Sequence, residues 1–227
     1  MDSRNPHRRT FLRNSAIGGA GILFASNLWA DDRMLTPEQT SGPFYPIPEI
    51  KKQPFYDADL TRKAADAPVA EGEIILVRGQ VVDVHGDPLA NSIVEVWQAC
   101  AAGRYNHPQD NNPAPLDPNF QYFARIETDK DGKYSFKSIR PGKYPGRTPH
   151  IHYQISSKGF DDLTTQMYFE MHAKDNERDG VYRSLDKNQR ESVTVALAKD
   201  DKADGLVAGD FTIVLGARGD KKATPPM

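Results

Sequence analysis

Residues 141–153 read Pro141-Gly-Lys-Tyr-Pro-Gly-Arg-Thr-Pro-His-Ile-His-Tyr153. The expected fold and the candidate functional site are both inferred from this stretch. Alternate side chains of an extended strand share one face, so His150 and His152 are predicted to point the same way. Ile151 and Tyr153 then point the other way, into apolar packing. Two imidazoles on one face make half of a metal site.

The proline and glycine residues just before the histidines are typical of a turn. Such a turn would bring Tyr144 back towards the histidine face and leave Arg147 beside it. The other half of a metal site must come from elsewhere in the chain. Tyr105, in Gly103-Arg-Tyr-Asn-His107, is the candidate.

Short runs of β-forming residues separated by turn signals occur on both sides of this stretch. The predicted strands are Glu73–Asp83, Ser92–Trp97, Phe120–Thr128, Lys133–Ile139, Gln166–Glu170 and Phe211–Leu215. Because no helix recurs between them, the sequence predicts an all-β fold, an antiparallel β-sandwich. The polar segment Asp175–Asp201 is expected to be partly helical.

The chain divides into four predicted segments. They are a signal segment (1–30), an extended N-terminal arm (31–68), a catalytic β-sandwich domain (69–216) and a flexible tail (217–227). Six prolines between Met34 and Val69 argue against helices in the arm. Its Thr40–Pro46 segment places Phe44 and Tyr45 between prolines, where the two rings either pin the arm to the domain or line a substrate pocket.

The N-terminus carries a pattern typical of export. Arg8-Arg9 precedes a weakly apolar, glycine-containing run that ends at Ala30, which predicts a twin-arginine signal and a periplasmic or secreted protein. The run is shorter than the ~20 apolar residues of a membrane span. Leu28 is bulky for a cleavage site ending at Ala30, so a retained anchor is the alternative, and no other membrane contact is expected.

Composition limits the function classes. A net charge of −2 in 227 residues gives no basic field, so nucleic acid is not expected as a partner. The single cysteine, Cys100, excludes an intrachain disulfide framework and a cysteine-based zinc site. Its place after an apolar strand predicts a small buried residue.

The candidate donors favour one metal. Phenols bind a metal well only when deprotonated, so a site made of Tyr105, Tyr144, His150 and His152 needs a hard, strongly acidic cation. Non-haem Fe(III) fits best, since zinc and copper more usually recruit other ligand sets. Each residue also has a structural interpretation, because strand-end tyrosines commonly pack in the core and a His-x-His pair need not bind anything.

The chain also resembles a known family. The motifs are Gly79–Pro88, Val94–Ala99, Gly103–His107, Leu116–Phe120, Gly132–Phe136, Ile139–Pro145, Arg147–His152 and Thr165–Glu170, in the order found in intradiol ring-cleavage dioxygenases. Within that family the chain resembles the iron-binding β subunit of protocatechuate 3,4-dioxygenase. The resemblance covers roughly Glu73 to Glu170, with Gly42–Tyr45 and Phe211–Leu215 as weaker outliers.

The resemblance implies a prealbumin-like β-sandwich that binds non-haem Fe(III). Tyr105 and His150 would be equatorial ligands, and Tyr144 and His152 axial ones. It also implies that a catechol is cleaved by O₂ between its hydroxyl-bearing carbons to a cis,cis-muconate, with Tyr144 taking a proton. Arg147 would stabilise the charged ring, and a homo-oligomer is expected.

Gln166 matches a glutamine of the family's substrate pocket. The chain departs from the protocatechuate enzymes after Pro145, where Gly146 and Arg147 replace a Trp and a longer loop. Two other functions remain. A non-catalytic prealbumin-like binding module would need only the strand and turn motifs, and a periplasmic iron-binding protein would need the ligands without Arg147 or Gln166.

Overall fold

The computed structural model describes residues 33–51 and 57–219. The predicted signal segment, and residues 220–227 of the predicted tail, lie outside the described residues. In the described part the strands are β1 (Ile74–Asp83), β2 (Ile93–Trp97), β3 (Phe123–Glu127), β4 (Lys133–Ile139), β5 (His150–Ser156), β6 (Leu163–Phe169), β7 (Thr194–Val195), β8 (Ala198–Lys199) and β9 (Val207–Leu215). They form a four-stranded sheet, in the order β4-β1-β9-β8, and a five-stranded sheet, in the order β3-β2-β5-β6-β7. The predicted all-β sandwich is confirmed.

Both sheets are mixed, whereas the sequence predicted antiparallel strands. β9 lies parallel to β1, and β7 lies parallel to β6; the other pairs are antiparallel. A parallel pair needs a long connection, and β1 and β9 are joined through the whole of the intervening domain. Alternating polarity predicts which face of a strand is buried, but not the direction of its neighbour.

The main hydrophobic core lies between the sheets. From β5 it takes Ile151, Tyr153 and Ile155, each fully buried. His150 and His152 occupy the opposite face of the same strand, as predicted. This outer face of the five-stranded sheet, and not the core, holds the candidate site.

The arm covers part of that outer face. The backbone N–H of Gln39 donates to Thr164 O on β6 at 2.8 Å, and its side-chain amide donates to Thr165 Oγ1 at 3.0 Å. One turn of helix, α1 (Pro48–Lys51), follows, where the prolines predicted none. Pro48 starts this helix at the position where its missing N–H has no intrahelical partner to lose.

The polar segment after β6 is partly helical, as predicted. It contains α2 (Ala173–Asn176), α3 (Gly180–Arg183) and α4 (Lys187–Val193), together with 3₁₀ turns at Glu170–His172 and Asp201–Ala203. No helix within the described residues is both long and apolar enough to cross a membrane.

Candidate metal centre

The two histidines lie where β5 begins, between β2 and β6. His152 pairs with Trp97 on β2 and with Gln166 on β6, while His150 pairs with Tyr168. Both imidazoles are almost completely buried. Their Nε2 atoms lie 3.0 Å apart, within hydrogen-bond distance of each other.

The tautomer of His150 is fixed by its backbone neighbour. Its Nδ1 lies 2.7 Å from Thr148 O, which can only accept, so Nδ1 carries the proton and Nε2 keeps its lone pair. Metal-binding histidines are usually oriented in this way by a carbonyl on the second ring nitrogen. His150 is therefore arranged to bind a metal ion through the lone pair of Nε2.

His152 is held by packing instead. Its ring stacks on Trp97 at an interplanar angle of 3° with centroids 4.8 Å apart. On another side is Gly42, where an added Cβ would come within 3.5 Å of the imidazole. Within the described residues its Nδ1 is buried without a hydrogen-bond partner, so the ring is placed by shape.

The predicted turn brings Tyr144 to the histidines. The backbone N–H of Arg147 donates to Tyr144 O at 3.1 Å, with Pro145 and Gly146 between them. Gly146 has φ of +79°, which the third position of a type II turn requires and glycine adopts freely. The Tyr144 ring then lies 5.6 Å from the His150 ring.

Tyr105 completes the group, from the loop after β2. Its ring packs edge-on against Tyr144 with centroids 5.4 Å apart, and it lies 6.2 Å from His152. Each of the four predicted donors thus contacts two others: Tyr105, Tyr144, His150 and His152 close a ring. Their convergence, inferred from residue type and spacing, is present in the structure.

Burial keeps all four groups neutral when no cation is bound. It lowers the pKa of His150 to about 3 and holds that of His152 well below its ordinary value. It also raises the pKa of Tyr105 well above the ordinary phenol value. The pKa of Tyr144 is raised by burial as well, although Arg147 opposes the shift. A phenolate here requires a strong positive charge.

The residues fit one hard metal ion. Imidazole nitrogens bind metals at about 2.0–2.1 Å, so two of them at a right angle about one ion lie about 3 Å apart, which matches the observed Nε2 separation of 3.0 Å. No group of three or more His, Cys, Asp or Glu side chains suited to a metal occurs among the described residues. The phenol oxygens are the donors that remain next to the histidines, and oxygen donors favour a hard cation.

Arg147 lies at the edge of this ring of donors. Its Nη1 donates to Tyr144 OH at 3.3 Å and its Nη2 to Gln166 Oε1 at 2.5 Å. Gln166 is fully buried and donates in turn to Thr40 O of the arm at 2.7 Å. The predicted catalytic arginine and the predicted pocket glutamine are therefore joined to each other and to the arm.

The two aromatic residues of the arm have different roles: Phe44 lines the site, and Tyr45 attaches the arm to the domain. Phe44 packs 4.9 Å from Tyr105 and 6.2 Å from Tyr144, so it walls the site. Tyr45 directs its hydroxyl to Glu95 Oε2 at 2.6 Å and packs edge-on against Trp97. Its hydroxyl pins the arm to β2, while its ring supports the stack on His152.

Sequence reasoning missed several supporting residues. Trp97 and Glu95 lie in the predicted strand Ser92–Trp97. They alternate with the core residues of that strand, so the sequence could have placed them on the face of the sheet that holds the histidines. Thr148 acts through a backbone carbonyl that no sequence signal marks. Asp179, which binds Arg147 Nε at 2.8 Å, comes from a polar segment 32 residues away and carried no signal.

Comparisons with known proteins agree with this geometry. The profile of a family described as dioxygenase matches residues 42–215. The chain is 40% identical over 178 residues to the protocatechuate 3,4-dioxygenase β chain of Burkholderia cepacia, covering 74% of each protein. It is 33% identical over 150 residues to catechol 1,2-dioxygenase 2 of Acinetobacter lwoffii, covering 58% of this chain and 50% of that one.

A solved structure is also similar. The dioxygenase domain of a dioxygenase and carbohydrate-binding protein fusion from Streptomyces sp. SirexAA-E is 26% identical, with a TM-score of 0.61, and the match covers 81% of this chain and 99% of that one. The profile match spans most of the sandwich and includes every predicted donor and pocket residue. With the ring of donors on the outer face of the sheet, these matches establish that the chain belongs to the intradiol ring-cleaving dioxygenase family.

Proposed function

We propose that the protein is a non-haem Fe(III) intradiol dioxygenase. It cleaves a catecholic ring between the two hydroxyl-bearing carbons and incorporates both atoms of O₂ to give a cis,cis-muconate-type product. The observation that carries the proposal is the convergence of two phenols and two imidazoles beside Arg147. A binding module with only the sandwich motifs has no use for that set.

Tyr105, Tyr144, His150 and His152 would hold the iron. When bound, Fe(III) supplies Lewis-acid chemistry, which makes the catechol hydroxyls more acidic and prepares the ring for O₂. Two phenolates also reduce the charge that the buried site must accommodate. The neutral histidines add none.

Tyr144 is the donor best placed to move a proton. It is partly exposed, whereas Tyr105 is 3% exposed and both histidines are buried. Its oxygen accepts from Arg147, which stabilises a phenolate and so favours proton release before substrate arrives. A catechol hydroxyl beside that oxygen can return the proton to it, so Tyr144 would act as the general base.

Arg147 would act on the bound ring. The Arg147 side chain is 14% exposed, so its charge acts at reduced dielectric. Its Nη1 edge faces the Tyr144 oxygen, where a catecholate oxygen would also lie. Arg147 can therefore donate to the anionic ring once Tyr144 has accepted its proton.

The arm would limit water and shape the pocket. Phe44 covers the tyrosines, and Gly42, at a φ of +65°, lies against His152, where an added Cβ would be 3.5 Å from the imidazole. On the exposed side is Gly146, where an added Cβ would meet nothing. We infer that the substrate enters past this turn, and that Phe44 and Gln166 contact it.

The direct test is oxygen uptake by the purified, iron-loaded chain with a panel of catechols. The proposal expects one O₂ consumed per catechol and a ring-opened product heavier by two oxygen atoms. A protein that binds iron at these residues and consumes no oxygen with any catechol would instead be an iron-binding protein. His85→Ala, a histidine outside the site, serves as the matched control for His150→Ala and should keep activity.

The location and assembly are also proposals. The Arg8-Arg9 segment supports twin-arginine export to the periplasm or beyond, where environmental phenols would be met. Assembly into a homo-oligomer is proposed from the family alone.

A further inference from the structure

Asp179 is a buried carboxylate held on both of its oxygens. Oδ2 accepts from Arg147 Nε at 2.8 Å and from the Thr148 N–H at 2.9 Å. Oδ1 accepts from the N–H groups of Val181 and Tyr182 at 2.9 and 3.2 Å. The side chain has no exposed area, so it cannot rotate without breaking these bonds.

Capping of α3 explains the hydrogen bonds to only one of the two Asp179 oxygens. An N-cap aspartate accepts from the first turn of its helix, as Oδ1 does. Oδ2 faces away, towards Arg147 and the segment that leads into β5. Burial alone would raise the pKa of Asp179, but the Thr148 N–H and the Arg147 guanidinium hold it below its ordinary value. The carboxylate is therefore charged and balances Arg147.

Because a guanidinium is rigid, its contact with Asp179 restricts the orientation of the Arg147 side chain. The group is planar, so fixing Nε and one terminal nitrogen fixes the direction of the other. Asp179 holds Nε and Gln166 holds Nη2, and Nη1 is left facing Tyr144 OH at 3.3 Å. Without the carboxylate, nothing among these contacts restrains the Nε side.

We propose that Asp179 is a positioning residue, which holds the Arg147 guanidinium against Tyr144 and Gln166 at the site. The proposal rests on the function proposed above for Arg147. Misplacing a substrate-contacting group by about 1 Å can cost ~10²-fold in rate. Asp179 thus acts on the reaction through Arg147, without touching the substrate.

The test uses Asp179→Asn in the iron-loaded full chain. Whichever way the amide turns, its NH₂ faces N–H donors, either at Arg147 and Thr148 or at α3. We expect kcat to fall ~10- to 10²-fold while iron content is unchanged. Asp186→Asn is the matched control, since Asp186 caps α4 through the Gln189 N–H and, among the described residues, makes no hydrogen bond with Arg147. An equal loss of kcat in Asp186→Asn would overturn the proposal.

A double-mutant cycle separates positioning from a general structural effect. If Asp179 acts through Arg147, adding Asp179→Asn to Arg147→Leu should change kcat less than twofold. Independent, multiplying losses would overturn the proposal. If Asp179→Asn does not fold, Asp179→Glu keeps the charge and pushes the guanidinium by one methylene. It should lower kcat in the same way, and a wild-type rate would overturn the proposal.

A crystal structure of Asp179→Asn decides the matter independently of activity. The proposal expects Arg147 to lose its contact with Tyr144 or with Gln166, and retention of both contacts would overturn it. If the wild-type chain consumes no oxygen with any catechol, the proposed function fails, and this structure still decides whether Asp179 positions Arg147.

Discussion

The two tyrosines of the site should fail in different ways when each loses its hydroxyl. Tyr144→Phe removes the proposed general base, which is worth ~10²–10⁴-fold in turnover. Part of this loss in turnover comes from the hydrogen bond that Arg147 Nη1 donates to Tyr144 OH at 3.3 Å. A hydrogen bond to a charged group is worth about 1.5–3 kcal/mol, or roughly 10- to 150-fold. Iron should stay bound through Tyr105, His150 and His152.

Tyr105→Phe should damage iron binding first. Tyr105 is 3% exposed among aromatic rings, where no water can replace the lost donor without opening the packing. Even partners that only orient a metal ligand cost about 10- to 100-fold in affinity when lost, so loss of a ligand should cost at least ~10²-fold. The tyrosinate charge-transfer band should weaken together with the iron content.

The assay compares iron stoichiometry, visible spectrum and oxygen uptake in the two variants. Tyr153→Phe is the control, because Tyr153 lies on the same strand as the histidines but faces the core, with its hydroxyl 3.6 Å from Met167 Sδ. It should match the wild type in iron and turnover. Equal iron retention and equal activity loss in Tyr144→Phe and Tyr105→Phe would refute the division of roles.

Two further predictions follow from contacts in the structure, and a third follows from the N-terminal sequence. The pKa of His150 is about 3 in the folded chain and near 6.5 in the unfolded chain. The unfolded iron-free chain therefore binds more protons. The free energy of unfolding should therefore fall as pH drops below about 6.5, by up to ~1.4 kcal/mol per unit for this group; equal stability by denaturant titration at pH 7 and pH 5 would count against it. Glu95→Gln should weaken the ion pair to Lys51 at 2.8 Å and raise proteolysis of the arm severalfold over Glu127→Gln; identical cleavage rates would contradict the anchoring role. Replacement of Arg8 and Arg9 by lysine should leave the protein in the cytoplasm, and unchanged fractionation would exclude the signal.

The sequence predicted the longer strands and the faces of the site because those depend on local periodicity, but it did not predict the two-residue strands β7 and β8. In the strand of His150 and His152, alternation alone separates donors from the core residues Ile151 and Tyr153. The Tyr144 turn was likewise predictable, since Pro145-Gly146 matches the backbone angles of one turn type. Such features need only neighbours in sequence.

Other features depend on contacts between distant segments. The parallel pairing of β9 with β1 depends on how the whole intervening chain folds, which no local pattern records. The helix at Pro48 departs from the prediction because proline, which breaks the interior of a helix, suits its first position. Asp179 reaches Arg147 across a helical segment whose composition is simply polar.

Iron stoichiometry and colour of the purified full chain test the central claim most directly. If Tyr105, Tyr144, His150 and His152 bind one Fe(III), the iron-loaded protein should hold one ferric ion per chain and be red-brown from tyrosinate charge transfer. The colour should be lost in the double variant Tyr105→Phe, Tyr144→Phe. A protein that binds no iron, or binds it without colour, would contradict the site.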